Sequence, residues 1–338
     1  MKTILDAPPE IIDLISIQTG VHVDCLETFP DDLATNLPVC LKSLPNLQTL
    51  SISDLVFSHP QSSARSAKIE QYLMTAIQAI LHHARLDNLE DLRLRLPLTY
   101  DFATLAKAPL PDEQSKPGND LPTVMRRLRH LKVGISDTSG PGGHMIYFDP
   151  PTMSQAQWPN VRYAREFFGF LEMAPNIHSL EVSCTHKLDM DKLNVVKFQN
   201  LRKLCLNRLT VSPEHLQTLL SQNQTAIRAL RLNAIGLKDG TWEEIFISLC
   251  SFPRLTQFWV EYCGYDPRGA SSGFIDPSIT PYDIAKDLVS VHRGDFDALG
   301  DLQRHVMRLR DAARLTQISR EVYQWGFMPS LDSATSHE

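Results

Sequence analysis

One short phrase recurs along the 338-residue chain: an apolar residue, two variable ones, an apolar residue, one variable one and a third apolar residue. It reads Leu47-Gln-Thr-Leu50-Ser-Ile52, Leu89-Glu-Asp-Leu92-Arg-Leu94, Leu128-Arg-His-Leu131-Lys-Val133 and Ile177-His-Ser-Leu180-Glu-Val182. It continues as Leu201-Arg-Lys-Leu204-Cys-Leu206, Ile227-Arg-Ala-Leu230-Arg-Leu232 and Leu255-Thr-Gln-Phe258-Trp-Val260. Its second and third apolar positions stand two apart with a variable residue between them, the period of a strand whose side chains point to opposite faces. Leu92 and Leu94 then point inward, while Asp91, Arg93 and Arg95 point outward. One such strand cannot bury its own apolar face. Stacked copies bury a continuous core, each touching mainly its neighbours.

The phrases begin at positions 47, 89, 128, 177, 201, 227 and 255, so successive steps are 42, 39, 49, 24, 26 and 28 residues. The last three fit the period of a leucine-rich repeat, about 20–29 residues. The first three require insertions or degenerate extra copies, and Ile12-Asp-Leu-Ile15-Ser-Ile17 is a weak earlier copy. Helical segments fill the intervals. Residues 66–86 carry Ile69, Leu73, Ile77, Ile80 and Leu81 along one stripe. Ser212-Pro-Glu214 opens a helix with Leu216, Leu219 and Leu220, and Thr241 opens another with Ile245, Phe246 and Leu249 in a capping-box-like pattern. The polar ladder position, five residues after the second leucine, is occupied by Leu55, Leu209, Ile235 and Cys263. Only Cys263 matches the Asn or Cys usual there, so apolar packing is expected to hold the turns. The expected fold is an α/β leucine-rich-repeat solenoid, an irregular horseshoe with parallel strands on the concave face, helices on the convex face and a C-terminal capping helix.

Residues 31–265 form the solenoid in this reading. Proline- and glycine-rich stretches at 97–122, 136–160 and 264–281 read as surface loops, the first two inserted in the solenoid and a linking loop spanning 266–282. Gly140-Pro-Gly-Gly143 either turns a hairpin between Lys132–Ser136 and Met145–Phe148 or sits in an irregular loop. Beyond it, 283–325 forms the helical cap, with Phe296, Leu299, Leu302, Val306 and Leu309 on its inner face, and 326–338 a disordered tail.

Lys and Arg total 33 against 39 Asp and Glu, a net charge of −6. Proteins that wrap nucleic acid carry the opposite balance, so no nucleic-acid partner is expected. The six cysteines (Cys25, Cys40, Cys184, Cys205, Cys250 and Cys263) are scattered, which favours reduced thiols. Asp6 interrupts any signal-peptide core, and no run approaches the roughly 20 apolar residues of a membrane span. The expected location is cytoplasmic or nuclear, not secreted and not in a membrane.

Phosphate-cradling, nucleophile-elbow and HExxH patterns are absent from the sequence. His82-His83 reads as a solvated helix end, because adjacent helical residues diverge by about 100°. Cys184, His186 and Cys205 invite a metal reading, yet Cys205 aligns with Glu181, three positions from Cys184. That offset is ~10 Å at ~3.3 Å per residue. No catalytic residue, cofactor or metal is expected. The outward strand residues carry the functional interest. Their central column is Ser51, Arg93, Lys132, Glu181, Cys205, Arg231 and Trp259, flanked by Asp91, Arg95, His130, Lys203, Asn233, Gln257 and Glu261. Neighbouring strands ~4.8 Å apart bring Arg231 to Trp259, a stacking pair of the residue types enriched at binding hot spots. The expected partner-binding set is Arg93, Arg95, His130, Lys132, Lys203, Arg231, Trp259 and Glu261, reading an acidic or phosphorylated protein segment.

Phrases such as Leu44-Pro-Asn-Leu47-Gln-Thr-Leu50 and Ser251-Phe-Pro-Arg-Leu255 make residues 30–265 resemble the fungal F-box and leucine-rich-repeat proteins. That family's F-box opens with a Leu-Pro-x-Glu-Ile-like phrase, which only Leu5-Asp-Ala-Pro-Pro-Glu10-Ile-Ile12 resembles here. Residues 1–30 are thus either a degenerate first repeat or an F-box remnant. The resemblance implies non-enzymatic protein recognition, as in a substrate-recognition subunit of a cullin-type ubiquitin ligase, with a ligase adaptor as second partner if the N-terminus works as an F-box. The alternatives are a free-standing repeat scaffold with no ubiquitin link and, more remotely, an enzyme with a loop-built site.

Overall fold

The computed structural model describes residues 46–53, 74, 77–78, 81, 86–107, 121–140, 150–266 and 287–316. Outside the described residues lie 1–45, most of the 66–86 stripe, His82-His83, Leu55, the 145–148 arm of the hairpin, 267–286 and the tail.

Each phrase folds as a strand. β1 (Thr49–Ser53), β2 (Asp91–Leu96), β3 (His130–Ile135), β4 (Ser179–Asp189), β5 (Lys203–Val211), β6 (Ala229–Asn233) and β8 (Gln257–Glu261) lie side by side in sequence order. The two-residue strands β7 (Gly236–Leu237) and β9 (Gly264–Tyr265) continue the sheet beyond β5, and every pairing is parallel. Parallel neighbours need a crossover; that from β4 to β5 runs through two 3-10 turns (Met190–Lys192 and Val195–Lys197), and other intervals supply α-helices. These are α1 (Thr99–Ala106), α2 (Leu121–Arg127), α3 (Met153–Gln157), α4 (Ala164–Leu171), α5 (Pro213–Ser221), α6 (Trp242–Leu249) and, after β9, α7 (Arg293–Ala312). The apolar strand residues and inner helix faces form one continuous core, from Leu50 and Ile52 to Leu302 and Val306. Ile77 and Leu81 of the first stripe are fully buried in it.

The second and third long steps hold inserted helices. α1 and α2 occupy one crossover and α3 and α4 the next, with no further strand among the described residues. Here the surface-loop expectation is corrected. Within 97–122, α1 buries Phe102 and Leu105 completely, and Phe102 packs edge-on against Phe167 and Phe170 of α4. Apolar residues between the prolines outweigh the turn signals, because they sit at helical spacing. Within 136–160, α3 is capped by the Thr152 hydroxyl, which accepts from Gln155 N.

A buried polar knot fixes that second insertion to the sheet. His186, on the core face of β4, is 1% exposed. Its Nε2–H donates to the Ser139 carbonyl at 3.0 Å, and its Nδ1 accepts from Asn160 Nδ2 at 3.2 Å. The Gln155 amide lies 3.0 Å from Nε2, and Asn160 Oδ1 accepts from Thr99 N at 2.8 Å. Burial above all pushes the His186 imidazole below its ordinary pKa, so it stays neutral.

Three later repeats share one backbone device. Arg208, Ala234 and Tyr262 have φ of 59°, 50° and 51°, each four residues after Leu204, Leu230 and Phe258. The left-handed turn swings the next residue inward, and Leu209, Ile235 and Cys263 are all buried. Leu209 and Ile235 therefore fill the turn with apolar side chains, as the sequence predicts, and Cys263, the one match to the usual Asn or Cys, is buried at the equivalent place.

At the C-terminal end, α7 packs on α6 and β8, and Arg310 Nη1 donates to Thr256 O at 2.8 Å. Two expectations are corrected. Residues 287–292, expected within the helical cap, are turned, extended or bent, with Leu288 bridging Cys263, and α7 begins at Arg293. Phe296 is 39% exposed, whereas Asp295 is fully buried. The Asp295 carboxylate accepts from Glu243 N at 2.8 Å, Tyr265 OH at 2.6 Å and Ser290 Oγ at 2.5 Å. Those three donors fix Asp295 on the inner face, and one residue further along a helix is ~100° away. Among the described residues, no helix is long and apolar enough to cross a membrane.

Candidate functional site: the open face of the sheet

Opposite the core, the sheet presents the side chains between the buried ones. Ser51, Arg93, Lys132, Glu181, Cys205, Arg231 and Trp259 stand in one register across β1 to β8. One flanking row runs through Asp91, His130, Ser179, Lys203 and Gln257, the other through Arg95, Gly134, Asn233 and Glu261. Every expected partner-binding residue lies on this face.

The face divides at β4 into two ends of different character. At the β2–β3 end Arg93, Arg95, His130 and Lys132 are exposed. Arg93 closes on Asp91 of its own strand through Nη2 at 2.6 Å, and Lys132 reaches across to Glu181 at 2.7 Å. Exposed pairs of this kind contribute roughly 0–1 kcal/mol, so they orient the cations more than they stabilise the fold. The Arg95 stem passes over Gly134, where an added Cβ would lie 3.4 Å from Arg95 Cγ.

At the β5–β8 end Lys203, Arg231, Trp259 and Glu261 are half-buried. The Arg231 guanidinium lies over the Trp259 ring, 5.4 Å from its centroid. Glu261 Oε2 accepts from Trp259 Nε1 at 3.3 Å and Asn233 Nδ2 at 2.9 Å. The indole is thus held on one side by a cation and at its edge by a carboxylate. On the other side of Arg231, Cys205 is pushed up to about 11, by burial first and then by Glu181, so it is a thiol at neutral pH. Cys184 and His186 lie on the core face and Cys205 on the open face, so the three cannot share an ion. Among the described residues, no group of three His, Cys, Asp or Glu side chains could hold a metal.

No protein-family model matches the chain, and no curated protein is significantly similar to it.

One row was missed by reading only the strand interiors. The second residue of each phrase enters the sheet edge-on, and main-chain bonds link the series Glu90, Arg129, His178, Arg202, Arg228 and Thr256. Arg129 N donates to Glu90 O, His178 N to Arg129 O, Arg202 N to His178 O and Arg228 N to Arg202 O, at 2.7–2.8 Å. The signal was present in the phrases themselves, whose second positions are basic from Arg129 to Arg228. Beside this row a cleft of about 490 Å³ is lined by the basic Arg126, Arg127, Arg129 and His178, the acidic Asp87 and Glu90, and the amides Asn88, Asn176 and Asn200.

Proposed function

We propose that the chain is a leucine-rich-repeat recognition protein that binds a segment of another protein on the open face of its sheet and performs no chemistry itself. The observation that carries this is the Arg231–Trp259–Glu261 group, half-buried, mutually braced and facing away from the core. An aromatic ring held in place has little ordering entropy left to lose on binding, and Trp and Arg are the side chains most enriched in interface hot spots. The repeat reading draws support from the 24-, 26- and 28-residue steps. It draws further support from the shared left-handed turns and the inward ladder residues. The motif resemblance extends the proposal to a substrate-recognition subunit of a cullin-type ubiquitin ligase, acting in the cytoplasm or nucleus on an acidic or phosphorylated segment.

Affinity capture with the full chain tests both parts. Arg231→Glu and Trp259→Ala should each deplete the specifically bound proteins at least tenfold, and Arg93→Glu should deplete them less, since Asp91 already neutralises part of its charge. Unchanged capture by all three variants rejects the face as the binding surface. Recovery of the ligase adaptor with the wild-type chain, and its loss on deleting residues 1–30, supports the ubiquitin link; clean absence of the adaptor favours a free-standing scaffold.

A further inference from the structure

The rim at the N-terminal ends of the strands gathers positive charge that neither the core nor the open face uses. Arg126, Arg129, Arg202 and Arg228 are exposed, and among the described residues no carboxylate lies within ion-pair distance of any of them. Arg129 Nη1 lies 3.3 Å from His178 Nε2, which accepts from it. The imidazole is held below its ordinary pKa by burial first, then by Arg202, Arg129 and His130. Arg129 and Arg202 thus both act on His178 through space, in a chain whose net charge is −6. Unneutralised like charges placed side by side oppose folding, and a bound anion removes that repulsion. Two acids share the cleft with them: Asp87 faces Arg127 at 3.6 Å, and Glu90 stands in the row beside Arg129.

We propose that this rim binds a phosphorylated peptide segment, the phosphoryl group entering the cleft beside Arg126, Arg129 and His178, and an acidic residue of the same segment meeting Arg202 or Arg228. The proposal rests on the reading of this sheet as a peptide-binding surface and names the chemistry of the partner. Guanidinium groups bind phosphoryl oxygens through paired N–H donors, and Asn176 and Asn200 add neutral amides to the cleft wall. The length of the row selects the ligand. Arg129 and Arg228 stand three strands apart, ~14 Å at ~4.8 Å per strand, which an extended peptide covers in about four residues at ~3.3 Å each. Glu90, in the β2 side of the cleft wall, turns the phosphoryl group toward Arg126, Arg129 and His178. A nucleic-acid strand would want a longer basic track with aromatic platforms, and the row from Glu90 to Thr256 offers neither.

The test is fluorescence anisotropy on the full chain. The probes are a degenerate peptide pool with a central phosphoserine and glutamates three and four residues to either side, the same pool with serine, and a mixed 12-nucleotide single-stranded RNA. The phosphorylated pool should bind at least tenfold more tightly than its serine counterpart, and inorganic phosphate should compete. Arg129→Glu and the milder Arg202→Ala should each weaken binding tenfold or more. Arg293→Glu, a matched charge reversal at the start of α7, should change it less than twofold. Circular dichroism on each variant separates lost binding from lost folding. Equal binding of the two pools, no binding of either, tighter binding of RNA, or rim variants that fold and bind as wild type each overturn the proposal. Arg231→Glu with Trp259→Ala, run in parallel, reads the open face separately: binding kept there but lost in the rim variants upholds the rim while removing the face from this contact.

Discussion

Single residues in this chain hold positions that their neighbours alone would not favour. His186 is neutral inside the knot that joins the 136–160 insertion to β4. Its folded-state pKa lies below the ordinary 6.5, so on acidification the unfolded chain takes up a proton that the folded chain refuses. Stability is then fully present above about 6.5 and falls as pH drops through it, by at most about 1.4 kcal/mol per pH unit for this one group. Urea unfolding at pH 7.5, 6.5 and 5.5 reads that slope. His186→Gln, which can accept from Asn160 and donate to Ser139 without titrating, should flatten it. His178 shifts in the same direction, so some slope remains in the variant. Ala234 presents the opposite case, a side chain where none is wanted. An L-residue in the left-handed region costs roughly 1–2 kcal/mol and glycine avoids most of that. Ala234→Gly should therefore raise stability by about 0.5 kcal/mol after its greater unfolded-state entropy is subtracted, a difference visible in the urea midpoint.

At the scale of elements, caps and edges decide which helices stay in place. Asp295 belongs to α7 but serves α6, accepting from Glu243 N near that helix's start while also holding Tyr265 and Ser290. Removing the carboxylate leaves three donors short of a partner in a buried place. Asp295→Ala should cost about 3 kcal/mol, and limited proteolysis should cut 287–316 faster. Asn223 does the same between α5 and β5. Its Nδ2 donates to Phe198 O at 2.7 Å and Leu219 O at 2.9 Å, and its Oδ1 accepts from Leu201 N at 2.9 Å. On the open face, a double-mutant cycle on Arg231 and Trp259 should return a coupling of about 0.5–1 kcal/mol in urea unfolding, the range for a partly exposed cation over a ring.

The described strands form one row from β1 to β8, each supported by the next, with β7 and β9 off that path. In such an array stability is local plus nearest-neighbour, and interior units have two neighbours where terminal ones have one. Hydrogen exchange should be slowest in β4, β5 and β6 and faster in β1; β8 is protected by α7 and should fall between. A buried leucine in the middle, Leu204→Ala, should cost about 2–5 kcal/mol and loosen β4 and β6 together.

Much of this was legible in the phrases. Strand positions, their parallel register and the Arg231–Trp259 juxtaposition follow from a period of two within strands and a recurring phrase between them, because stacking identical units aligns equivalent residues. The inward ladder positions follow as well. The long insertions were misread, because proline and glycine mark turns without saying what lies between the turns. Phe102 and Leu105 reach the core only by meeting α4, which is some sixty residues away in sequence. Phe296 was misplaced because hydrophobicity cannot foresee that three donors from other elements fix Asp295 inward. The rim, too, needed the sheet: its basic residues stand 24–49 positions apart, and only main-chain pairing sets them side by side. Along the strands, the sequence by itself determined which residues face the core and which face outward, since alternation is a local property of the extended backbone. The tertiary structure alone decided which charges become neighbours and which are left without a counter-charge, since that depends on contacts between segments the chain keeps far apart.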